Sequence, residues 1–105
     1  MRQVRDLGVD LADVSSGGLV PWQQIPVAPE YQVPFAARIR REAGIATGAV
    51  GLVTGATQAE RIVAEGEADV VLMARALLRD PYFPRRAAMA LGADPPTPEQ
   101  YRRAW

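Results

Sequence analysis

The chain of 105 residues contains no histidine, no cysteine and no lysine, so all 12 of its basic side chains are arginines. Without histidine and cysteine it lacks the side chains that most often act as general bases or nucleophiles. The absence of cysteine also excludes disulfides and thiolate metal sites, which is consistent with a cytoplasmic protein. The chain therefore carries few of the groups that usually perform acid–base or nucleophilic chemistry, and we predict no metal site in it.

Net charge and long apolar runs are also missing. The 12 acidic residues balance the 12 arginines, so nothing indicates a general attraction to nucleic acid or to an anionic membrane. No apolar run approaches the roughly 20 residues that cross a bilayer, and the charged residues after Met1 do not form a signal peptide. Hydrophobic residues make up 49% of the sequence, which indicates one globular domain at most.

Short apolar segments alternate with helical patterns along the chain. Strands are predicted over residues 9–14, 49–53 and 68–74, and the last is so apolar that both of its faces should be covered. A first helix is predicted over residues 32–43 and ends at Gly44. A second begins at a capping box formed by Thr57 and Glu60 and ends at Gly66, and a third covers residues 82–91. Short helical turns are predicted at both ends of the chain. A Gly- and Pro-rich segment, residues 16–31, is predicted to be an irregular loop.

Strands separated by helical crossovers imply an α/β fold with a parallel sheet. Three βα units are too few to close a barrel, which needs about eight. An open sheet of three parallel strands also leaves two unpaired edges, so we expect part of a larger fold that is marginally stable or prone to aggregation alone. Residues 1–6 read as the end of a helix, which favours a truncated start.

Arg75 follows the third predicted strand, where a new helix begins. A strand end there presents backbone N–H groups and a guanidinium at the mouth of a parallel sheet, beside a helix N-terminus. A cation at a helix start opposes the helix dipole unless an anion binds there. The segment therefore predicts a phosphate site, and an ordinary surface arginine is the alternative.

Five segments, in order, resemble the C-terminal part of the Old Yellow Enzyme family: DLADVSSGG (10–18), PEYQ (29–32), GAVGLVT (48–54), ADVVLMAR (68–75) and LRDP (78–81). The ending QYRRAW is similar to the thermophilic-like bacterial branch. The resemblance implies an FMN-dependent NAD(P)H oxidoreductase that reduces activated C=C bonds. It further implies that residues 1–105 form the C-terminal portion of a TIM (β/α)8 barrel, with its sixth, seventh and eighth strands.

The resemblance also implies which residues bind the cofactor FMN. Gly51 matches the glycine of the strand-7 loop, whose N–H groups approach the phosphate, and Leu52 and Val53 follow it along the flavin. A glycine here would leave room for that approach, although a glycine tolerated at a strand end is the alternative. Ser16 matches a residue near the phosphate pocket at the end of the sixth strand, but serine before Gly-Gly is also a plain turn signal.

Ala74 and Arg75 match the Gly-Arg pair after the eighth strand, in which the arginine pairs with the phosphate. Bidentate hydrogen bonding to phosphate is well suited to arginine. Alanine departs from the family's glycine, and the change is tolerable where φ is negative but lowers affinity where φ is positive.

Residues 93–105 form a Pro-rich tail. Arg103 matches the arginine that reaches into a neighbouring subunit's active site, with Arg102 as the match if the register slips. The resemblance then implies a homo-oligomer contact anchored by Tyr101 and Trp105, and a frayed basic terminus is the alternative.

The family's histidine pair and proton-donating tyrosine belong upstream of this segment. The chain is therefore interpreted as the FMN-phosphate-binding part of an ene-reductase, inactive alone. The alternative is a non-catalytic half-barrel that binds phosphate or assembles with a partner. A half of an aldolase- or synthase-type barrel is disfavoured, because there is no lysine and the acid at the strand end, Asp13, precedes Ser15 and Ser16 and is expected to face elsewhere.

Overall fold

A single sheet of three parallel strands, in the order β1-β2-β3, organises the computed structural model, which describes all 105 residues. The strands are β1 (Leu11–Val14), β2 (Ala46–Val50) and β3 (Val70–Leu72). The helices are α1 (Arg2–Asp6), α2 (Val33–Ala43), α3 (Ala56–Ala64), α4 (Arg75–Arg79) and α5 (Phe83–Ala90), and a 3₁₀ helix spans Glu99–Ala104. This α/β architecture with a parallel sheet confirms the predicted fold class and is consistent with part of a TIM barrel.

One face of the sheet is buried beneath α2 and α3. The side chains of Ala12, Val14 and Ala49 lie on this face, each no more than 8% exposed. Helix α2 contributes Ala36 to the core and α3 contributes Ile62, and both are fully buried. Helices pack here because parallel strands joined by right-handed crossovers place them against the sheet.

The opposite face of the sheet is bare. Strand pairing aligns Asp13 with Gly48 and Gly48 with Val70, so these residues share that face. Leu11 and Val70 are each 41% exposed, and Asp13 is exposed. The prediction that the third strand is covered on both faces is therefore wrong, because no second layer of this chain packs on that side.

All three strands differ in extent from prediction. The first begins at Leu11 rather than at residue 9. The second strand is Ala46–Val50 rather than 49–53, because Gly51 and Leu52 adopt φ values of +115° and +53°, which end the extended conformation. The third strand is shorter than 68–74. The Asp69 carboxylate precedes it and accepts a hydrogen bond from the Thr47 N–H at 2.8 Å.

The end of α2 was predicted correctly, but the start of α3 was not. Gly44 ends α2 with φ +63°, as predicted. The capping box at Thr57 is wrong, since α3 begins at Ala56 after Gly55. The Gln58 side chain accepts hydrogen bonds from backbone N–H groups before the helix instead. None of the helices is long and apolar enough to span a membrane.

Candidate functional site

A cavity of about 230 Å³ lies between the loops that follow β2 and β3. It is lined by residues 50–54, residues 72–76 and Arg79. The carboxyl ends of neighbouring parallel strands meet at one edge of a sheet, which is where ligands bind in such folds. Five of the six residues predicted to bind the cofactor are brought together there: Gly51, Leu52, Val53, Ala74 and Arg75.

Gly51 directly follows the end of β2 and lines this cavity. Its φ of +115° favours glycine, and an added Cβ would lie 2.7 Å from Cε1 of Tyr31 and 2.8 Å from Nε2 of Gln32. The need for glycine thus arises from packing against residues 31 and 32. The other reason, space for a phosphate, stays a prediction.

The loop after Gly51 is held by Gln58 of α3. Its Nε2 donates to the Leu52 carbonyl oxygen at 3.2 Å, and its Oε1 accepts from the Thr54 N–H at 2.9 Å. These contacts keep Leu52 at a positive φ, which is uncommon for a residue with a side chain. Sequence reasoning missed Gln58. The sequence signal for its role is a glutamine three residues after the glycine that precedes α3. The pattern of Thr57 and Glu60, which also resembles a capping box, was preferred instead.

The loop after β3 has ordinary backbone geometry. Ala74 has φ −93°, so an alanine at this position carries no left-handed strain. Arg75 begins α4, and its side chain is exposed. The backbone N–H groups of Leu52, Val53 and Ala74 donate no hydrogen bond within the chain, and all three residues line the cavity together with Arg75.

The charges around the cavity are of one sign. No acidic residue lines it, whereas Arg75 and Arg79 both do. Neither arginine takes part in the chain's seven ion pairs. Guanidinium and free backbone N–H groups are the donors that bind phosphate oxygens, so the residues present fit a phosphate group.

Ser16, the sixth predicted residue, lies outside the cavity lining. Its N–H and its hydroxyl both donate to Oε1 of Gln32, the hydroxyl at 3.0 Å. Gln32 is 3% exposed, and its Nε2 donates to the Val50 carbonyl oxygen at 2.9 Å. Ser16 is therefore connected to the site through Gln32. Sequence reasoning did not single out this glutamine, because a buried amide is not visible in a hydrophobic pattern.

The tail lies on α5 rather than at the cavity. The Trp105 ring is 5.5 Å from that of Tyr82, and the Arg85 guanidinium lies 4.4 Å from the centre of the indole. Arg103 and Tyr101 are exposed, and neither lines the cavity.

Two charged clusters lie away from the cavity. Hydrogen bonds to Glu65 and then Glu67 raise the pKa of the Arg61 guanidinium. The Thr47 N–H, followed by the Arg40 guanidinium, lowers the pKa of the Asp69 carboxyl against the opposing effect of burial. Both clusters join loops and helices of the fold, and neither contributes a lining residue.

Comparison with known proteins identifies the family. The model of the NADH:flavin oxidoreductase / NADH oxidase family matches residues 1–93. Relatives named NADPH dehydrogenase include that of Geobacillus thermodenitrificans, 54% identical over all 105 residues, and that of Geobacillus sp. strain WCH70, 56% identical over 104 residues, or 99% of the chain. That of Halalkalibacterium halodurans is 57% identical over 98 residues, or 93% of the chain.

The chain spans only about 30% of the length of these relatives, with shares of 31%, 30% and 29%. FMN is the cofactor of the family, with NADPH or NADH as co-substrate. The resemblance drawn from the sequence is confirmed, because the match covers nearly the whole chain. The chain belongs to the NADH:flavin oxidoreductase / NADH oxidase family.

Proposed function

We propose that this chain is the FMN-phosphate-binding part of an NAD(P)H-dependent oxidoreductase that reduces activated C=C bonds. The observation that carries the proposal is the cavity between the β2 and β3 loops. It joins Arg75 to the free N–H groups of Leu52, Val53 and Ala74 and contains no carboxylate. Bound FMN would supply hydride transfer, and the chain's own residues bind and orient it.

Each group at the cavity has a distinct role in the proposal. Arg75 pairs with the phosphate, and the three free N–H groups donate to its oxygens. Gln58 keeps the Leu52 carbonyl turned into α3, so the neighbouring N–H groups stay available. The side chain of Val53 is 4% exposed and belongs to the core, so we assign only its backbone to the ligand.

We further propose that the three strands are the sixth, seventh and eighth of a TIM barrel. The bare sheet face, with Leu11 and Val70 exposed, supports this, because the same face of a complete barrel is filled by side chains of the other strands. Catalytic side chains and the contacts to substrate would come from those other strands. The isolated chain, which lacks histidine, is then expected to be inactive.

For the tail, residues 93–105, we propose a homo-oligomer contact in which Arg103 contributes to a neighbouring subunit's active site. Arg103 is exposed and takes part in no ion pair, while Trp105 fixes the end of the tail on α5. Sedimentation of the chain with and without these residues tests the contact. The same oligomeric state for both would contradict it.

The bare sheet face also favours a second candidate, a non-catalytic half-barrel that assembles with a partner chain. Both candidates use the same phosphate cavity. They differ in whether the assembled protein oxidises NAD(P)H in the presence of FMN. A partner that restores the barrel without that oxidation would favour the non-catalytic module.

Titration with FMN tests the proposed function. We expect saturable binding by the unsubstituted chain, weakened at least about tenfold by Arg75→Gln, because a hydrogen-bonded charge pair contributes about 1.5–3 kcal/mol. Arg41→Gln is the matched control, since Arg41 is exposed, makes no ion pair and lies on α2. Equal loss in both variants, or no FMN binding by the folded chain, would contradict the proposal.

A further inference from the structure

We propose that Arg79 is a second anion-binding arginine of this cavity, so that the site selects the dianion of a phosphate monoester over its monoanion. The inference rests on the proposed function and names a residue that the family resemblance did not assign. Its starting point is that Arg79 lines the same cavity as Arg75, one turn further along α4.

The positive charges of Arg75 and Arg79 repel each other unless an anion binds between them. They stand four residues apart on one helix, where side chains are neighbours, with Cβ atoms roughly 6 Å apart. Like charges at this spacing destabilise a helix. A dianion between them would turn that repulsion into two attractive contacts.

No carboxylate of the chain neutralises Arg79. Asp80, its immediate neighbour, instead forms an ion pair with Arg86 and accepts a hydrogen bond from the Tyr82 N–H at 3.1 Å. Five other arginines of the chain do find carboxylates: Arg5, Arg38, Arg40, Arg61 and Arg86. Two arginines without an ion pair therefore line the cavity, and no acidic residue does.

Two guanidinium groups match two negative charges. A phosphate monoester carries between one and two charges near neutrality, because its second pKa is about 6. Removal of Arg79 would leave one guanidinium and the backbone donors, which suffice for a monoanion. Arg75 would then still bind the ligand, but the preference for the dianion would be lost.

The test measures binding of glycerol phosphate by NMR at pH 7 and pH 5, following the amide signals of Leu52, Val53 and Ala74. The chain has no histidine or cysteine, so few of its own groups titrate between these values and the pH dependence reports the charge of the ligand. Sulfate, which is a dianion at both pH values, is the control ligand.

We expect weaker binding of glycerol phosphate at pH 5 than at pH 7 in the unsubstituted chain, and no such change for sulfate. Arg79→Gln should weaken binding at pH 7 about tenfold and reduce this pH dependence, while Arg79→Lys should retain part of both. Arg41→Gln should change neither. A second system is a chimera in which this chain replaces the matching segment of the Geobacillus thermodenitrificans NADPH dehydrogenase, so that the isolated segment need not fold alone. In it, the affinities of the same variants for FMN and for riboflavin, which lacks the phosphate, are compared.

The outcomes separate the two proposals. If Arg75→Gln weakens binding but Arg79→Gln behaves like Arg41→Gln in both systems, the role of Arg79 is wrong and the proposed function stands. If both cavity variants behave like Arg41→Gln, the phosphate site itself is wrong. A loss of FMN and riboflavin affinity in equal proportion on Arg79→Gln would also overturn the inference, because it would indicate a structural role.

Discussion

The side-chain amide of Gln32 donates to the Val50 carbonyl oxygen at 2.9 Å, directly before the turn at Gly51. Its oxygen accepts from Ser16, so one buried side chain connects the ends of β1 and β2. Replacement of Gln32 by leucine would leave these backbone groups without a partner. We expect Gln32→Leu to lower the free energy of unfolding by about 1–3 kcal/mol, measured by urea denaturation.

Gln3→Leu is the control for that prediction, because Gln3 is exposed on α1 and its side chain makes no hydrogen bond. Its effect should remain within about 0.5 kcal/mol. Similar effects of the two substitutions would contradict a structural role of the Gln32 amide.

Gly51 and Gly8 form a second matched pair. Both have a left-handed φ, +115° and +96°, but an added Cβ at Gly8 meets nothing within 4 Å, whereas at Gly51 it meets Tyr31 and Gln32 below 3 Å. An alanine at either position should cost about 1–3 kcal/mol for the backbone conformation. Gly51→Ala should cost about 1–3 kcal/mol more, because the neighbouring side chains must move.

Thermal denaturation of both glycine variants checks this difference. If Gly8→Ala is as destabilising as Gly51→Ala, close packing beneath the β2 loop is not the reason for glycine there. If Gly51→Ala lowers FMN affinity without lowering stability, the predicted reason, space for the ligand, would be favoured over the packing observed.

The sequence predicted the alternating strands and helices because the apolar periodicity of each element is the same in a part of a fold as in the whole. It predicted an anion site at Arg75 because a cation at a helix start opposes the helix dipole. It misplaced the second strand by three residues, since nothing in the letters AVGLV shows that Gly51 and Leu52 have positive φ. It missed Gln32 and Gln58, whose roles depend on which backbone groups the fold leaves unpaired. It assigned no ligand to Arg79, because the relation of this residue to Arg75 appears only once α4 and the cavity are seen together.

Asp69 gives a prediction about pH. The Thr47 N–H and then Arg40, at 3.0 Å, lower the pKa of this carboxyl below its ordinary unfolded-state value of about 3.9. Because the folded-state pKa is the lower one, the stabilisation is present above about pH 4 and is lost as the pH falls through the folded-state value. The side chain is 33% exposed, so solvent screening limits the effect to about 1 kcal/mol.

Asp69→Asn should therefore destabilise the chain at pH 7 and less so at pH 3, measured by urea denaturation at both values. Asp10→Asn is the control, since Asp10 is exposed and makes no ion pair. A destabilisation by Asp69→Asn that is equally large at pH 3 would show that the contribution of Asp69 does not depend on its charge.

Neighbouring valines of β3 test whether the bare sheet face is free in solution. Val70 lies on that face and is 41% exposed, whereas Val71 packs against the core beneath the helices. Threonine keeps the β-branched shape and adds a hydroxyl, so Val70→Thr should reduce self-association in sedimentation velocity and change the free energy of unfolding by less than about 0.5 kcal/mol.

Val71→Thr is the control. It should lower the free energy of unfolding by about 1–3 kcal/mol, because the hydroxyl is placed in an apolar core, and should leave self-association undiminished. Equal destabilisation by the two substitutions would mean that the Val70 face is covered in solution, and the chain would then not need further strands to complete its sheet.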